Sequence, residues 1–114
     1  MAVRVRRLPR KPAQRNTPLR GGPTEKQLRD SVVHMARLLG WRVYFTWTSL
    51  HSPPGFPDLV LCRPPRLLFV ELKSEEGRLS RAQRDWLALL ETIPGIEAYV
   101  WRPRDQREIL TRLR

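Results

Sequence analysis

Two acidic residues and a lysine mark the ends of two apolar stretches of this chain. Asp58 follows Pro57 at the start of the first stretch, and Glu71 and Lys73 lie two residues apart at the end of the second. Residues i and i+2 of a β-strand share a face, so Glu71 and Lys73 point to the same side of a sheet. Two carboxylates beside an amine could bind a divalent cation and activate water, which is the chemistry of metal-dependent phosphodiester hydrolysis.

The segment between the two stretches predicts that the acids meet. Arg63-Pro64-Pro65-Arg66 is typical of a hairpin loop because proline interrupts strand pairing. A hairpin that is symmetric about the Pro64–Pro65 bond places Asp58 directly opposite Glu71, where like charges destabilise a sheet. A cation between the two acids would remove that repulsion. Carboxylate oxygens, with a backbone carbonyl at the strand end, suit Mg²⁺ or Mn²⁺.

A helix that begins shortly after Lys73 could add an anion-binding surface. Ser80 and Gln83 have the spacing of a capping box, which predicts a helix N-terminus at this point. Gln83 could touch the scissile phosphate or the attacking water, or it could serve only as a cap, and Glu25 has the same two interpretations. Three nearby arginines are candidate nucleic-acid contacts: Arg78, Arg81 and Arg84.

An interpretation without catalysis stays open. Glu71 and Lys73 could form an ion pair on the solvated face of the sheet, and Asp58 could simply begin a strand. The chain would then be a basic nucleic-acid-binding module whose arginines bind and whose acids are structural. An enzyme needs the Asp58 and Glu71 side chains within reach of each other, whereas a binding module does not.

Helix and strand signals alternate along the chain in the pattern of a mixed α/β domain. Capping boxes predict helices that begin at residues 24–27 and 80–83, the first of which ends at Gly40. Alternating apolar residues predict a strand after the first helix, the acidic hairpin supplies two more, and a short helix closes the chain. A helical crossover should make strand 96–101 parallel to strand 66–72. The second helix is expected to turn five side chains towards the core: Ala82, Trp86, Leu87, Leu89 and Leu90.

Charge and size limit the class of protein. The 114 residues suit a single domain, and the formal net charge of +11 indicates a polyanionic partner, most simply nucleic acid. Residues 1–23 carry seven Arg or Lys and no acid, which predicts a disordered basic arm before a domain at 24–114. In the domain, Tyr44 and Thr46 alternate with the apolar side of their strand and are further candidates to contact nucleic acid. Five candidate backbone contacts lie in the arm: Arg4, Arg6, Arg7, Arg10 and Lys11.

The rest of the composition argues against a secreted or membrane protein. Cys62 is the only cysteine, which excludes disulfides within the chain and cysteine-based zinc sites. No apolar stretch approaches the roughly 20 residues that span a bilayer. The N-terminus is basic but lacks the apolar region of a secretory signal. We therefore expect the protein to be intracellular, either cytoplasmic or associated with the nucleoid.

Four motifs over residues 24–102, taken together and in order, resemble the VRR-Nuc (virus-type replication–repair nuclease) family of the PD-(D/E)xK nuclease superfamily. The resemblance implies an α/β fold with a restriction-endonuclease-like core, α-β-β-β-α-β plus a short C-terminal helix, in which helices flank a mixed sheet. The motifs are the helix with Glu25, the Gly55-x-Pro57-Asp58 turn, Glu71-x-Lys73 and the Ser80-x-x-Gln83 helix.

The same resemblance implies roles for individual residues and a substrate. It predicts a Mg²⁺- or Mn²⁺-dependent DNA endonuclease that acts as a homodimer on branched DNA, such as Holliday junctions or flaps, in replication, recombination or repair. A restriction-type or RNA-processing nuclease on the same fold is the alternative. The implied metal ligands are Asp58, Glu71 and the carbonyl of Leu72, with Glu25 helping to organise the site, and the implied catalytic residues also include Lys73 and Gln83.

Overall fold

The structure is a five-stranded mixed β-sheet with helices on both faces. The computed structural model describes the backbone of residues 5–7 and the whole of residues 22–46 and 50–114. None of the helices in these residues has the length and apolar character needed to cross a membrane. The strands are β1 (Val5–Arg7), β2 (Arg42–Phe45), β3 (Leu59–Arg63), β4 (Arg66–Leu72) and β5 (Glu97–Trp101). The helices are α1 (Glu25–Leu38), α2 (Arg81–Glu91) and α3 (Gln106–Leu113), with a 3₁₀ turn at Pro103–Asp105 before α3.

The strand order in the sheet is β1-β5-β4-β3-β2. β3 and β4 form the predicted antiparallel hairpin, in which Leu59 pairs with Val70 and Arg63 with Arg66. β4 and β5 are parallel, as the α2 crossover predicts. From α1 to β5 the elements follow the predicted α-β-β-β-α-β order, and α3 is the predicted C-terminal helix. The predicted fold class is therefore confirmed.

Both predicted capping boxes are present and set where the helices begin. The Thr24 hydroxyl accepts a hydrogen bond from the Gln27 N–H, and the Gln27 side chain accepts one from the Thr24 N–H. Ser80 and Gln83 make the same pair of bonds at the start of α2. α1 ends just before Gly40, whose φ of +90° lies in the left-handed region that favours glycine.

Alternate side chains of the central strands fill two separate cores. The larger core lies under α1 and α3 and includes Leu68, Val70 and Leu72 of β4. The smaller core lies under α2 and includes Phe69 of β4 and Ala98 of β5. α2 packs mainly on β5 and on the short β1. It therefore lies over one half of the sheet, and β2 and β3 form the other half.

The N-terminal segment differs from its prediction. The sequence predicts a disordered arm over residues 1–23, but the backbone of Val5–Arg7 pairs in parallel with β5. For these three residues the prediction is wrong, because the outer edge of β5 offers its N–H and C=O groups to a further strand. Residues 1–4 and 8–21 lie outside the described residues, and with them Arg4, Arg10, Lys11 and the side chains of Arg6 and Arg7.

Leu89 is a second departure from the sequence prediction. It is 58% exposed, whereas Leu87 and Leu90 of the same helix are buried. Successive helical residues are rotated by about 100°, so only a stripe of side chains can face the sheet. That stripe holds Leu87 and Leu90, and Leu89 falls beside it on the solvent side.

Candidate active site

The sheet brings Asp58 and Glu71 together at the open end of the β3–β4 hairpin. Leu59 pairs with Val70, so the next position of the same register sets Asp58 opposite Glu71, as the sequence predicts. The Asp58 Oδ2 atom accepts a hydrogen bond from the Leu72 N–H at 2.8 Å, which ties the start of β3 to the end of β4. Glu71 is only 1% exposed. Two acids, one of them fully buried, therefore share one face of the sheet.

The backbone carbonyl of Leu72 lies at the same edge of β4 as Asp58. In an antiparallel pair the N–H and C=O of a residue point to the same neighbouring strand, and the Leu72 N–H points to Asp58. The position opposite Leu72 in this register is Pro57, which has no N–H to donate. Pro57 thus offers the Leu72 carbonyl no ladder hydrogen bond. The predicted carbonyl ligand therefore lies on the correct edge of the strand.

Burial and a neighbouring charge control the protonation of Glu71. Burial, followed by the nearby Asp58 carboxylate, raises the pKa of Glu71 to about 9, although Lys73 opposes the shift. The Gln83 side-chain amide donates to Glu71 Oε2 at 2.9 Å. Glu71 Oε1 is buried and accepts no hydrogen bond from the described residues, while a hydrogen bond between the protonated Glu71 carboxyl and Asp58 also raises the pKa of Glu71. A buried acceptor without a partner is unfavourable, and a cation bound there would supply both the partner and the missing positive charge.

A tight contact holds the loop before Asp58 against α2. Gly55 has a φ of +91°, and a Cβ placed on it would lie 2.5 Å from the backbone carbonyl of Ala82. Only glycine fits this position, for both reasons. The next residue, Phe56, packs edge-to-face on Trp86 of α2, with ring centroids 5.0 Å apart. The Gly-x-Pro-Asp motif therefore fixes Asp58 relative to the helix that contacts Glu71.

Lys73 and Glu25 approach each other beside Gly77. A Cβ placed on Gly77 would lie 3.4 Å from Lys73 Cδ and 3.5 Å from Glu25 Oε2. Lys73 directly follows β4, two residues after Glu71, so it lies on the same face of the sheet as Glu71, as predicted. The charge of Glu25 also raises the pKa of Glu71, although by less than burial and the Asp58 carboxylate do. The first turn of α1 therefore lies close to the two acids of the hairpin.

Arg102 holds the loop that follows Lys73. Its Nη1 atom donates to the carbonyls of Ser74 at 2.6 Å and Gly77 at 2.7 Å. No motif in the sequence points to Arg102. The parallel pairing of β4 and β5 was the available signal, because the Lys73 N–H donates to the Trp101 carbonyl and so sets Arg102 beside the loop.

The three arginines predicted to contact nucleic acid lie around the N-terminal end of α2. Arg78, Arg81 and Arg84 are all exposed. Arg84 also donates to the Leu79 carbonyl at 3.3 Å. The N-terminal end of a helix carries partial positive charge, which adds to that of the guanidinium groups. Their contact with nucleic acid stays a prediction.

The donor atoms of this cluster suit a hard divalent cation. The carboxylates of Asp58 and Glu71 and the carbonyl of Leu72 are the oxygen ligands that Mg²⁺ and Mn²⁺ prefer. Within residues 22–46 and 50–114, no group of three or more His, Cys, Asp or Glu side chains has metal-binding geometry. Glu25 therefore does not complete a three-carboxylate group with the pair. A cation here would rely on two acids, one carbonyl, and water or substrate oxygens.

An open cleft of about 560 Å³ lies next to Asp58. Asp58 and Gln83 form part of its lining, and so do Tyr44 and Thr46 of the β2 segment. Tyr44 pairs with Val60, which shares a sheet face with Asp58. The two residues predicted to contact a nucleic-acid strand thus open onto the candidate site.

Comparison with protein families places this arrangement in a family. The model of the VRR-NUC domain matches residues 5–105 of the chain. The chain belongs to the VRR-NUC family. Its function is therefore of the nuclease type, and a nuclease domain of this kind implies DNA binding. Neither the comparison with curated proteins nor that with solved structures gives a match. The match starts at β1, so this VRR-NUC domain includes part of the segment predicted as an arm.

Proposed function

We propose that this VRR-NUC domain is a Mg²⁺- or Mn²⁺-dependent endonuclease that hydrolyses phosphodiester bonds of DNA. The observation that carries the proposal is the buried Glu71 carboxyl, which lies opposite Asp58 and has one oxygen without a hydrogen-bond partner. Its raised pKa means that the site disfavours a second negative charge until positive charge arrives. A buried carboxyl that only stabilises a fold is normally hydrogen-bonded through both of its oxygens.

The chain's own residues would prepare the cation site. Asp58, Glu71 and the Leu72 carbonyl would hold the ion, which when bound neutralises charge on a phosphate oxygen and lowers the pKa of water. Glu71 must release its proton for this, so binding is coupled to deprotonation. The Gln83 amide holds one oxygen of Glu71, and the Leu72 N–H holds one oxygen of Asp58. Both acids are therefore oriented before any ligand binds.

Lys73 is the proposed catalytic base or electrostatic stabiliser. On the same sheet face as Glu71, its amine would orient or deprotonate the attacking water and stabilise negative charge on the phosphate. Arg102 fixes the loop directly after Lys73 through the Ser74 and Gly77 carbonyls. Fixed positions of reacting groups raise the rate because little orientational freedom is lost at the moment of reaction.

The proposed substrate is branched DNA, bound through its backbone by a homodimer, in replication, recombination or repair. The net charge of +11 and the exposed arginines around α2 support contacts to phosphates, which carry no sequence information. α1 and α2 each use one face to pack on the sheet. A two-fold dimer would present two equivalent sites, which suits a symmetric junction.

Cleavage of a DNA panel tests the proposal. Purified protein is incubated with four-way-junction, flap, single-stranded and linear duplex DNA, with either Mg²⁺ or EDTA. We expect products with Mg²⁺ alone, and Lys73→Ala and Asp58→Asn should each lower the rate about 100-fold or more. Lys26→Ala and Asp30→Asn change an exposed ion pair of α1 and are the matched controls, which should keep the wild-type rate.

Each other outcome has a defined meaning. Products that persist in EDTA or in Lys73→Ala contradict the mechanism. DNA binding without any cleavage favours the non-catalytic binding module, and cleavage of RNA alone favours an RNA-processing nuclease. Equal rates on junction, flap and linear duplex contradict the preference for branched DNA. Light scattering measures whether the protein is a dimer.

A further inference from the structure

The half of the sheet beyond α2 carries aromatic side chains beside the candidate active site. Tyr44 is 60% exposed and Phe56 is 38% exposed, although both line the same cleft. Trp86 forms part of the same wall and packs on Phe56. Pro53 and Pro54 line it from the loop that precedes Asp58. We call this space, between the β2 segment and the loop at 52–56, the Tyr44 cleft.

The register of the sheet relates the Tyr44 cleft to the acids. Tyr44 pairs with Val60 of β3, and the same register continued by two residues sets Thr46 opposite Asp58. Asp58 in turn lies opposite Glu71. Thr46, Asp58 and Glu71 therefore form a row across three strands, and Tyr44 lies one step away on the same face. Diagonal neighbours in a sheet are about 7–8 Å apart, which is comparable to the span of a nucleotide from phosphate to base.

The chemistry of the lining favours a base over a phosphate. Among the described residues, the lining of the cleft includes three aromatic rings and two prolines, and neither Lys nor Arg. Its volume of about 560 Å³ lies in the range of pockets that enclose small ligands. Aromatic side chains stack on bases of any sequence, because every base has a π-face.

We propose that the Tyr44 cleft binds an unpaired base of the DNA strand whose phosphodiester lies at Asp58 and Glu71, with that base stacked on Tyr44. The inference rests on the proposed nuclease function and adds a substrate requirement, namely unpaired nucleotides next to the scissile bond. Tyr44 is then a specificity residue. Strand ends, flaps and branch points offer such nucleotides, and an intact duplex does not.

Binding measured without cleavage tests the Tyr44 cleft independently of the nuclease proposal. The full chain with Lys73→Ala is titrated with a single-stranded DNA that carries 2-aminopurine, with the same strand made abasic in its central part, and with a duplex. The abasic strand keeps every phosphate, so basic residues contribute equally to both strands. We expect quenching of 2-aminopurine on binding, and tighter binding of the strand that has bases.

Substitutions at Tyr44 identify the ring as the cause. Added to Lys73→Ala, Tyr44→Ala should weaken binding of the single strand about fivefold or more, abolish the quenching and leave abasic-strand and duplex binding unchanged. Tyr44→Phe keeps the ring and should behave like the parent. Leu38→Ala removes another well-exposed apolar side chain, on α1, and is the control. Equal loss on all three DNAs, or no loss with Tyr44→Ala, would overturn the inference whatever the cleavage assay shows.

Discussion

The two ends of β4 place glutamates in opposite electrostatic surroundings. At the first end, Arg66 donates two hydrogen bonds of 2.7 Å to Glu97 of β5, and the Tyr99 hydroxyl donates a third. Burial alone would raise the pKa of Glu97, but these donors outweigh it and lower the pKa. At the other end, Glu71 receives one amide hydrogen bond and lies opposite an acid, so its pKa rises to about 9.

The difference separates a structural acid from a candidate ligand. The chain itself provides the counter-charge for Glu97, and the Arg66 guanidinium also lies over the Trp41 ring, 5.1 Å from its centroid. That end of β4 is complete without any ligand. Among the described residues, Glu71 Oε1 accepts no hydrogen bond, and the positive charge that lowers the pKa of Glu71 is that of Lys73. A buried acid left without its counter-charge lowers stability, and such a cost is typical of functional sites.

The largest expected effect comes from Glu71→Gln. The amide keeps the shape of the side chain and removes the charge, so cleavage should fall about 100-fold or more. In EDTA above neutral pH the same variant should melt several degrees higher than wild type, because its neutral amide does not have to take up a proton from solution on folding. Initial cleavage rates and thermal melts measure the two effects.

Glu97→Gln is the matched control for that experiment. It should retain cleavage and melt lower than wild type, because its carboxylate is paired with Arg66. If Glu71→Gln also lowers the melting temperature in EDTA, the two ends of β4 do not differ in the way described.

A smaller effect is expected at the Glu97 end. Arg66→Met removes both hydrogen bonds to Glu97 and should lower the free energy of unfolding by about 1–3 kcal/mol, since a half-buried carboxylate loses its main partner. Cleavage under stabilising conditions should stay near wild type. Lys26→Met breaks an exposed ion pair with Asp30 and should change the same free energy by less than about 0.5 kcal/mol. Equal losses in chemical denaturation would mean that the Arg66 pair is an ordinary surface pair.

The last expected effect is a pH dependence of stability that has opposite sign at the two ends. The pKa of Glu71 rises from 4.5 to about 9 on folding, so the folded protein binds more protons between these values. Its contribution to stability in EDTA therefore falls as the pH rises through that window. The pKa of Glu97 is lowered from 4.5, so its contribution is present above that value and is lost as the pH falls through the folded pKa.

Melting curves of wild type, Glu71→Gln and Glu97→Gln in EDTA over this range of pH check both signs. The advantage of Glu71→Gln over wild type should grow from about pH 5 to pH 9. The deficit of Glu97→Gln should shrink below about pH 4.5. If the melting temperatures of wild type and Glu71→Gln differ by the same amount at every pH, the pKa of Glu71 is not raised in the folded protein.

Local rules in the sequence were sufficient for most of the elements and for the meeting of the two acids. Each capping box depends on residues three positions apart, and both boxes form. The alternation of β4 and the prolines of the hairpin loop predicted the register that sets Asp58 opposite Glu71. These features depend on near neighbours along the chain, whose geometry the backbone limits strongly.

Other features had no local signal. β1 forms on the free edge of β5, whereas the high positive charge of its Arg-rich segment had favoured a disordered arm. Leu89 has the same residue type as Leu90, and only the angle at which α2 packs on the sheet exposes it. Arg102 reaches the loop after Lys73 from the end of β5, far along the chain. In each case a distant element decides the outcome.

By itself, the sequence determined which groups are available at the site and that a hairpin sets two acids opposite each other. Only the tertiary structure decided the state of those acids, because burial and the charges around a carboxyl depend on every element packed against it. Contact with Asp58 and the cover of α2 leave Glu71 short of positive charge, whereas Arg66 satisfies Glu97. Both are glutamates on adjacent strands, and their surroundings alone make one structural and the other a candidate ligand.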